Sequence, residues 1–184
     1  MLLIAIAFFL SELSLYERLA DKLAANPKLL DRPASIDDVK WMVGRWKVTA
    51  RVFRTSRGPE RISHGEEVVE PALGGSWLLT RDIYPDGGTD IGYLTYNTVS
   101  RRWTSIALDG SGNAVTATGR AWKGNKLVLS AADAEIVGER VNLRQTIEKW
   151  SESEYHILNE ERLPSGRWVA LDEYTYERVS PPSR

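Results

Sequence analysis

The sequence predicts an all-β protein, an antiparallel up-and-down β-barrel of about ten strands preceded by an N-terminal helical arm. Three observations predict it. From Trp46 onward, short runs rich in Val, Thr, Trp, Tyr and Ile recur at a spacing of roughly 8–14 residues, with no helical period between them. The runs are separated by turn chemistry: Pro85-Asp86-Gly87-Gly88, Asp109-Gly110-Ser111-Gly112, Lys123-Gly124-Asn125 and Pro164-Ser165-Gly166. Nearest-neighbour hairpins of this kind favour closure, which removes the exposed edges of an open sheet.

Composition narrows the function classes. The 184 residues carry 24 basic and 25 acidic side chains, a net charge of −1. That balance argues against a nucleic-acid binder, which usually carries a basic surplus. Cysteine is absent, so disulfides, thiolate metal sites and a cysteine nucleophile are excluded. Two histidines, His64 and His156, are too few for a multi-histidine metal centre. Seven Trp and seven Tyr against three Phe suit walls that are part apolar and part wet. No phosphate loop, HExxH, GxSxG or glycosylation sequon occurs, and neither a metal nor a cofactor is expected.

The elements follow in order. Residues 1–10, MLLIAIAFFL, are continuously apolar but far short of the ~20 needed to span a bilayer. No Lys or Arg precedes them and no A-x-A site follows, so they make a poor signal peptide. Leu13, Tyr16, Ala20 and Leu23 form one helical stripe that Asn26-Pro27 ends. The run is either a degenerate export signal or part of one helix lying as a lid over an apolar opening. A cytoplasmic location is favoured over export. Residues 1–34 are thus expected to be arm and linker, and 35–180 a single barrel domain. Within 35–180 the strands are expected near 45–54, 61–70, 75–84, 89–97, 101–109, 113–122, 125–131, 138–150, 153–163 and 167–178.

The first strand opens with Gly44-Arg45-Trp46, a G-x-W motif, and the last ends at Arg178. This resembles the lipocalin-like (calycin) superfamily. There the G-x-W tryptophan plugs one end of the barrel beneath an arginine from the last strand. The resemblance implies that Trp46 and Arg178 form that closing pair. The middle of the chain also resembles an uncharacterised bacterial family with such a barrel. The matching features are Gly74-Gly75-Ser76-Trp77, the run Asp90 to Asn97, Arg102-Trp103 and Gly166-Arg167-Trp168. Some small calycin-like barrels bind haem, which requires an inward histidine. His156 is expected on the outer face and His64 in a solvated run.

Strand alternation identifies the lumen face. In the first strand Trp46, Val48, Ala50 and Val52 face inward. Val141, Leu143, Gln145 and Ile147 share an inner face, as do Tyr155, Ile157, Asn159 and Glu161. Trp168, Ala170, Asp172, Tyr174 and Tyr176 form an aromatic inner face on the last strand. A three-residue loop at 151–153 pairs Trp150 with Glu154. A four-residue loop at 164–167 pairs Leu163 with Trp168. Together they set Gln145, Asn159 and Asp172 in one row across three strands, with Glu161 one step along. Such neighbours lie about 5 Å apart. The row either satisfies itself or fixes the polar end of a ligand lying against Trp168, Tyr174 and Tyr93. Arg81 is a further inward candidate, although Leu78, Thr80, Asp82 and Tyr84 make nearly as good an inner face.

Three functions remain. The first is binding of a small, mostly apolar or amphipathic ligand in the lumen. The alternative is an enzyme on the same lumen, with Asp172 or Glu161 as acid or base. The third is a structural or interaction barrel packed full by its own tryptophans. A void of roughly 300 Å³ or more favours binding. The residues name no catalytic set, no membrane span and no oligomeric state.

Overall fold

A computed structural model describes residues 14–30, 33–55, 58–136 and 138–179. The apolar run 1–10 lies outside the described residues. Two compact units divide between residues 32 and 33. In the first, α1 spans Leu15–Ala25. Ser14 caps it reciprocally: the Glu17 amide donates to Ser14 Oγ, and the Ser14 amide donates to Glu17 Oε2. This is a capping box.

The second unit is a closed antiparallel barrel in which every strand pairs with its sequence neighbour and the last returns to the first. The strands are β1 (Gly44–Val52), β2 (Arg61–Ala72), β3 (Trp77–Ile83), β4 (Thr89–Asn97), β5 (Arg102–Leu108), β6 (Ala114–Gly119), β7 (Lys126–Ile136), β8 (Glu139–Lys149), β9 (Glu154–Arg162) and β10 (Trp168–Arg178). Closure leaves no unpaired edge. No helix among the described residues is long and apolar enough to cross a membrane.

One end is plugged. A 3-10 segment, Ala34–Met42, brings Ile36, Val39 and Met42 into the core, each almost wholly buried. Trp46 is completely buried beside them. The Arg178 guanidinium lies over its ring at 4.1 Å, a cation–π contact. Arg178 also donates to the carbonyls of Val43, Trp41 and Glu152, and the Trp46 indole donates to the Met42 carbonyl at 2.7 Å. A Cβ on Gly44 would sit 2.6 Å from Arg178 Nη1, and its φ of +141° disfavours any side chain. Trp41, Trp103, Trp122 and Tyr155 extend the plug through edge-to-face contacts.

The β8–β9 ladder pairs Lys149 with Tyr155, Ile147 with Ile157 and Gln145 with Asn159. The β9–β10 hairpin is different. Its turn pairs Leu163 with Arg167 and Arg162 with Trp168, one residue tighter than the loop chosen from sequence. An extra residue, Leu171, then bulges between Ala170 and Asp172 and restores the pairing of Asp172 with Asn159. A bulge inverts the faces of a strand on its two sides. Tyr174 and Tyr176 therefore face inward, whereas Trp168 and Ala170 face out. Trp168 lies outside the barrel under the Arg144 guanidinium at 4.3 Å. Arg144 itself forks onto Glu160 with two bonds of 2.7 Å.

Candidate functional site

Trp41, Trp46, Trp103 and Trp122 pack the plugged end, and no tryptophan borders the lumen cavity. The other half of the lumen holds a cavity of about 220 Å³. Met42 and Glu67 border its floor, and Tyr84, Asp109 and Asn113 border it at the unplugged end. Ile91, Leu94, Val115, Ile136, Ile147 and Ile157 supply apolar lining. At Gly92 a Cβ would meet Thr80 Oγ1 at 2.3 Å, so a side chain there would crowd the wall.

One wall carries the amide row. Gln145 Nε2 donates to Asn159 Oδ1 at 3.2 Å, and Asn159 Nδ2 donates to Asp172 Oδ1 at 2.7 Å. Gln145, Asn159 and Tyr174 border the cavity, whereas Asp172 stands behind Asn159 and does not. Burial raises the Asp172 carboxyl above its ordinary range, and the Asn159 bond partly opposes that.

The facing wall carries a second row that sequence reasoning missed. The β2–β3 ladder pairs Glu67 with Asp82, and the β3–β4 ladder pairs Asp82 with Asp90. All three carboxyls border the cavity. The Tyr155 hydroxyl donates to Glu67, which is 3% exposed. The Tyr84 hydroxyl donates to Asp90 Oδ2 at 2.9 Å. Burial, reinforced by Asp82, pushes Glu67 up to about 8. Burial, reinforced by Asp90, pushes Asp82 up to about 7. Like charges this close share protons, so the titration belongs to the row as a whole. The same desolvation raises the hydroxyls of Tyr174 and Tyr176, which stay neutral donors.

The remaining sequence candidates lie elsewhere. Arg81 faces out and pairs with Glu70 at 2.9 Å, because Leu78, Thr80 and Asp82 hold the inner face of β3. Tyr93 borders the cavity, but its ring packs edge-on to Trp77, 6.2 Å away, on the face opposite Gly92 and Leu94. Glu161 sits near the unplugged rim with Arg140 and Arg162, outside the lumen cavity. His156 stacks on Trp150 on the outer surface, 3.4 Å from Glu173, and His64 is exposed beside Thr49. Among the described residues no cluster of His, Asp and Glu has metal-binding geometry.

Comparison with one solved structure supports the fold. The "Crystal Structure of Rv2717c from M. tuberculosis" superposes with a TM-score of 0.61 at 13% identity, covering 82% of this chain and all of that one. A protein of unknown function from the DUF3598 family of Nostoc punctiforme gives a TM-score of 0.43 at 15% identity, covering 77% of this chain and 48% of that chain. No curated protein sequence matches. The profile of the family described as "Protein of unknown function (DUF1579)" matches residues 39–178.

Proposed function

The chain belongs to this DUF1579 family, and we propose that its barrel binds a small molecule in the unplugged half of the lumen. The single observation that carries the reading is the 220 Å³ cavity, with apolar walls and two convergent polar rows. Ligand sites are concave, mostly apolar and furnished with a few placed polar groups. The resemblance of the Gly44-Arg45-Trp46 and Arg178 closure to lipocalin-like barrels supports the same reading. The volume falls short of the roughly 300 Å³ set above as favouring binding, so the reading leans on the apolar walls and the two polar rows, and the occupant it admits is small.

A second reading is an enzyme on the same lumen. It draws on Glu67 and Asp82, whose raised carboxyls suit proton transfer near neutral pH. Its weakness is that no nucleophile–base pair accompanies them among the described residues.

Native mass spectrometry of freshly purified full-length protein, compared with the same protein after mild unfolding and refolding, tests the binding reading. A co-purified mass lost on refolding and regained on adding the extract supports it. A thermal-shift screen of small ligands that moves nothing, together with a bare native mass, leaves a barrel that is merely packed.

A further inference from the structure

We infer that the occupant of the lumen is a small organic cation, an ammonium or amidinium head on a compact apolar body, with its head against Asp82. The inference deepens the binding reading and rests on it. It starts from what borders the cavity. Glu67, Asp82 and Asp90 stand at adjacent positions on three neighbouring strands, and none of the described residues around the cavity is Lys, Arg or His. Nearby cations are turned outward: Arg81 of β3 pairs with Glu70, and Arg45 of the adjacent β1 pairs with Glu66.

Asp82 is the odd member of the row. Glu67 accepts from Tyr155 and Asp90 accepts from Tyr84. Asp82, between them, has neither a hydrogen bond nor an ion pair among the described residues, although it is largely buried. A buried polar group normally finds a partner, and a buried charge finds a counter-charge. A proton is the minimal partner. A cationic head is the better one, because it brings donors and charge together.

The alternatives meet the same wall less well. A carboxylate or phosphate ligand would face three acidic groups with no cation beside them. A purely apolar ligand would remove water from Asp82 and return nothing. The opposite wall suits the body of a cation: Ile147 and Ile157 are apolar, Gln145 donates to Asn159, and Asn159 donates on to Asp172. The groups facing Asp82 are Glu67 on β2, Asp90 on β4, Tyr84 beyond the end of β3, and Tyr174 and Tyr176 on β10. None of them supplies positive charge.

Binding then displaces a proton from the row into solvent as the cation takes its place. Three probes of matched shape test the class: 2-phenylethylamine, 2-phenylethanol and phenylacetate. Isothermal titration of the full-length protein at pH 7 should show the amine bound at least about tenfold more tightly than the alcohol, the worth of about 1.4 kcal/mol. Phenylacetate should give no heat. The amine titration should differ between phosphate and Tris buffers, reporting the released proton. Asp82→Asn should shrink the amine-to-alcohol ratio toward one, and Asp90→Asn, a second isosteric change, should reduce it. Equal affinity for amine and alcohol, tighter binding of phenylacetate, or an unchanged ratio in Asp82→Asn would overturn the cation assignment while leaving a lumen that binds. Binding of none of the three would overturn this inference; the binding reading falls only with a bare native mass and a silent thermal-shift screen.

Discussion

Trp46 joins the plug through a hydrogen bond, a cation–π contact and a ring contact. Its indole is completely buried, donates to the Met42 carbonyl, lies under Arg178 and meets Tyr155 edge-on at 4.8 Å. Trp46→Ala should cost about 3–5 kcal/mol, the range for aromatic truncation in a core. The melting temperature should fall by on the order of 10 °C in a chain of this length. An unchanged melting temperature would reject the plug. The amide row makes a second, sharper contrast. Asn159 bridges Gln145 and Asp172, so Asn159→Ala leaves both without their partner. The expected loss is about 2–4 kcal/mol, from the truncated contacts and two unsatisfied groups. Asp172→Asn keeps the shape and an acceptor, and should cost about 1 kcal/mol or less. Chemical denaturation of both variants reads the difference. Equal losses would mean that Asn159 does not bridge.

At the scale of elements, the strands and most of their faces were legible, because alternation in β1, β8 and β9 runs several residues without interruption. Where reading failed, the cause was local. The Leu171 bulge turns Trp168 and Ala170 outward, and nothing in the residue types of β10 marks an inserted residue. In β3 both faces mix apolar and charged side chains, so Arg81 and Asp82 competed for the lumen on equal terms. The Glu67–Asp82–Asp90 row was hidden by a sound rule, that carboxylates on strands point to solvent. One signal was available: Glu67 lies at period two from Val69, whose burial it shares. The row has a consequence for stability. Burial pushes Glu67 up to about 8 and Asp82 up to about 7, against unfolded values near 4, and the row titrates as a unit. The folded chain therefore binds more protons than the unfolded chain between those limits. Their contribution is fully present below about pH 4 and is lost as pH rises through 7 to 8. The melting temperature should fall between pH 5 and pH 8, and Glu67→Gln should flatten that fall. A wild-type curve that rises steadily over the same window would refute buried, protonated carboxyls in the row.

On the scale of the whole molecule, the question is which residues the barrel needs. The described strands close on themselves from Gly44 to Arg178. The core needs one further piece, since Ile36, Val39 and Met42 fill the plugged end and Met42 reaches the cavity floor. The helix α1 buries none of its residues. The division between residues 32 and 33 thus falls just ahead of the last segment that the barrel core uses. Two truncations separate the roles. A chain beginning at Pro33 keeps every described residue of the core, so it should retain the β-type far-ultraviolet spectrum and melt within a few degrees of the full chain. A chain beginning at Gly44 loses three buried side chains, each worth about 2–5 kcal/mol by the cost of truncating such residues. That total rivals the 5–15 kcal/mol by which a domain is stable, so the shorter chain should melt far lower or fail to fold. If the chain from Pro33 is itself unfolded, the arm is part of the fold and the domain boundary belongs upstream. If both chains melt alike, the 3-10 segment does not plug the barrel.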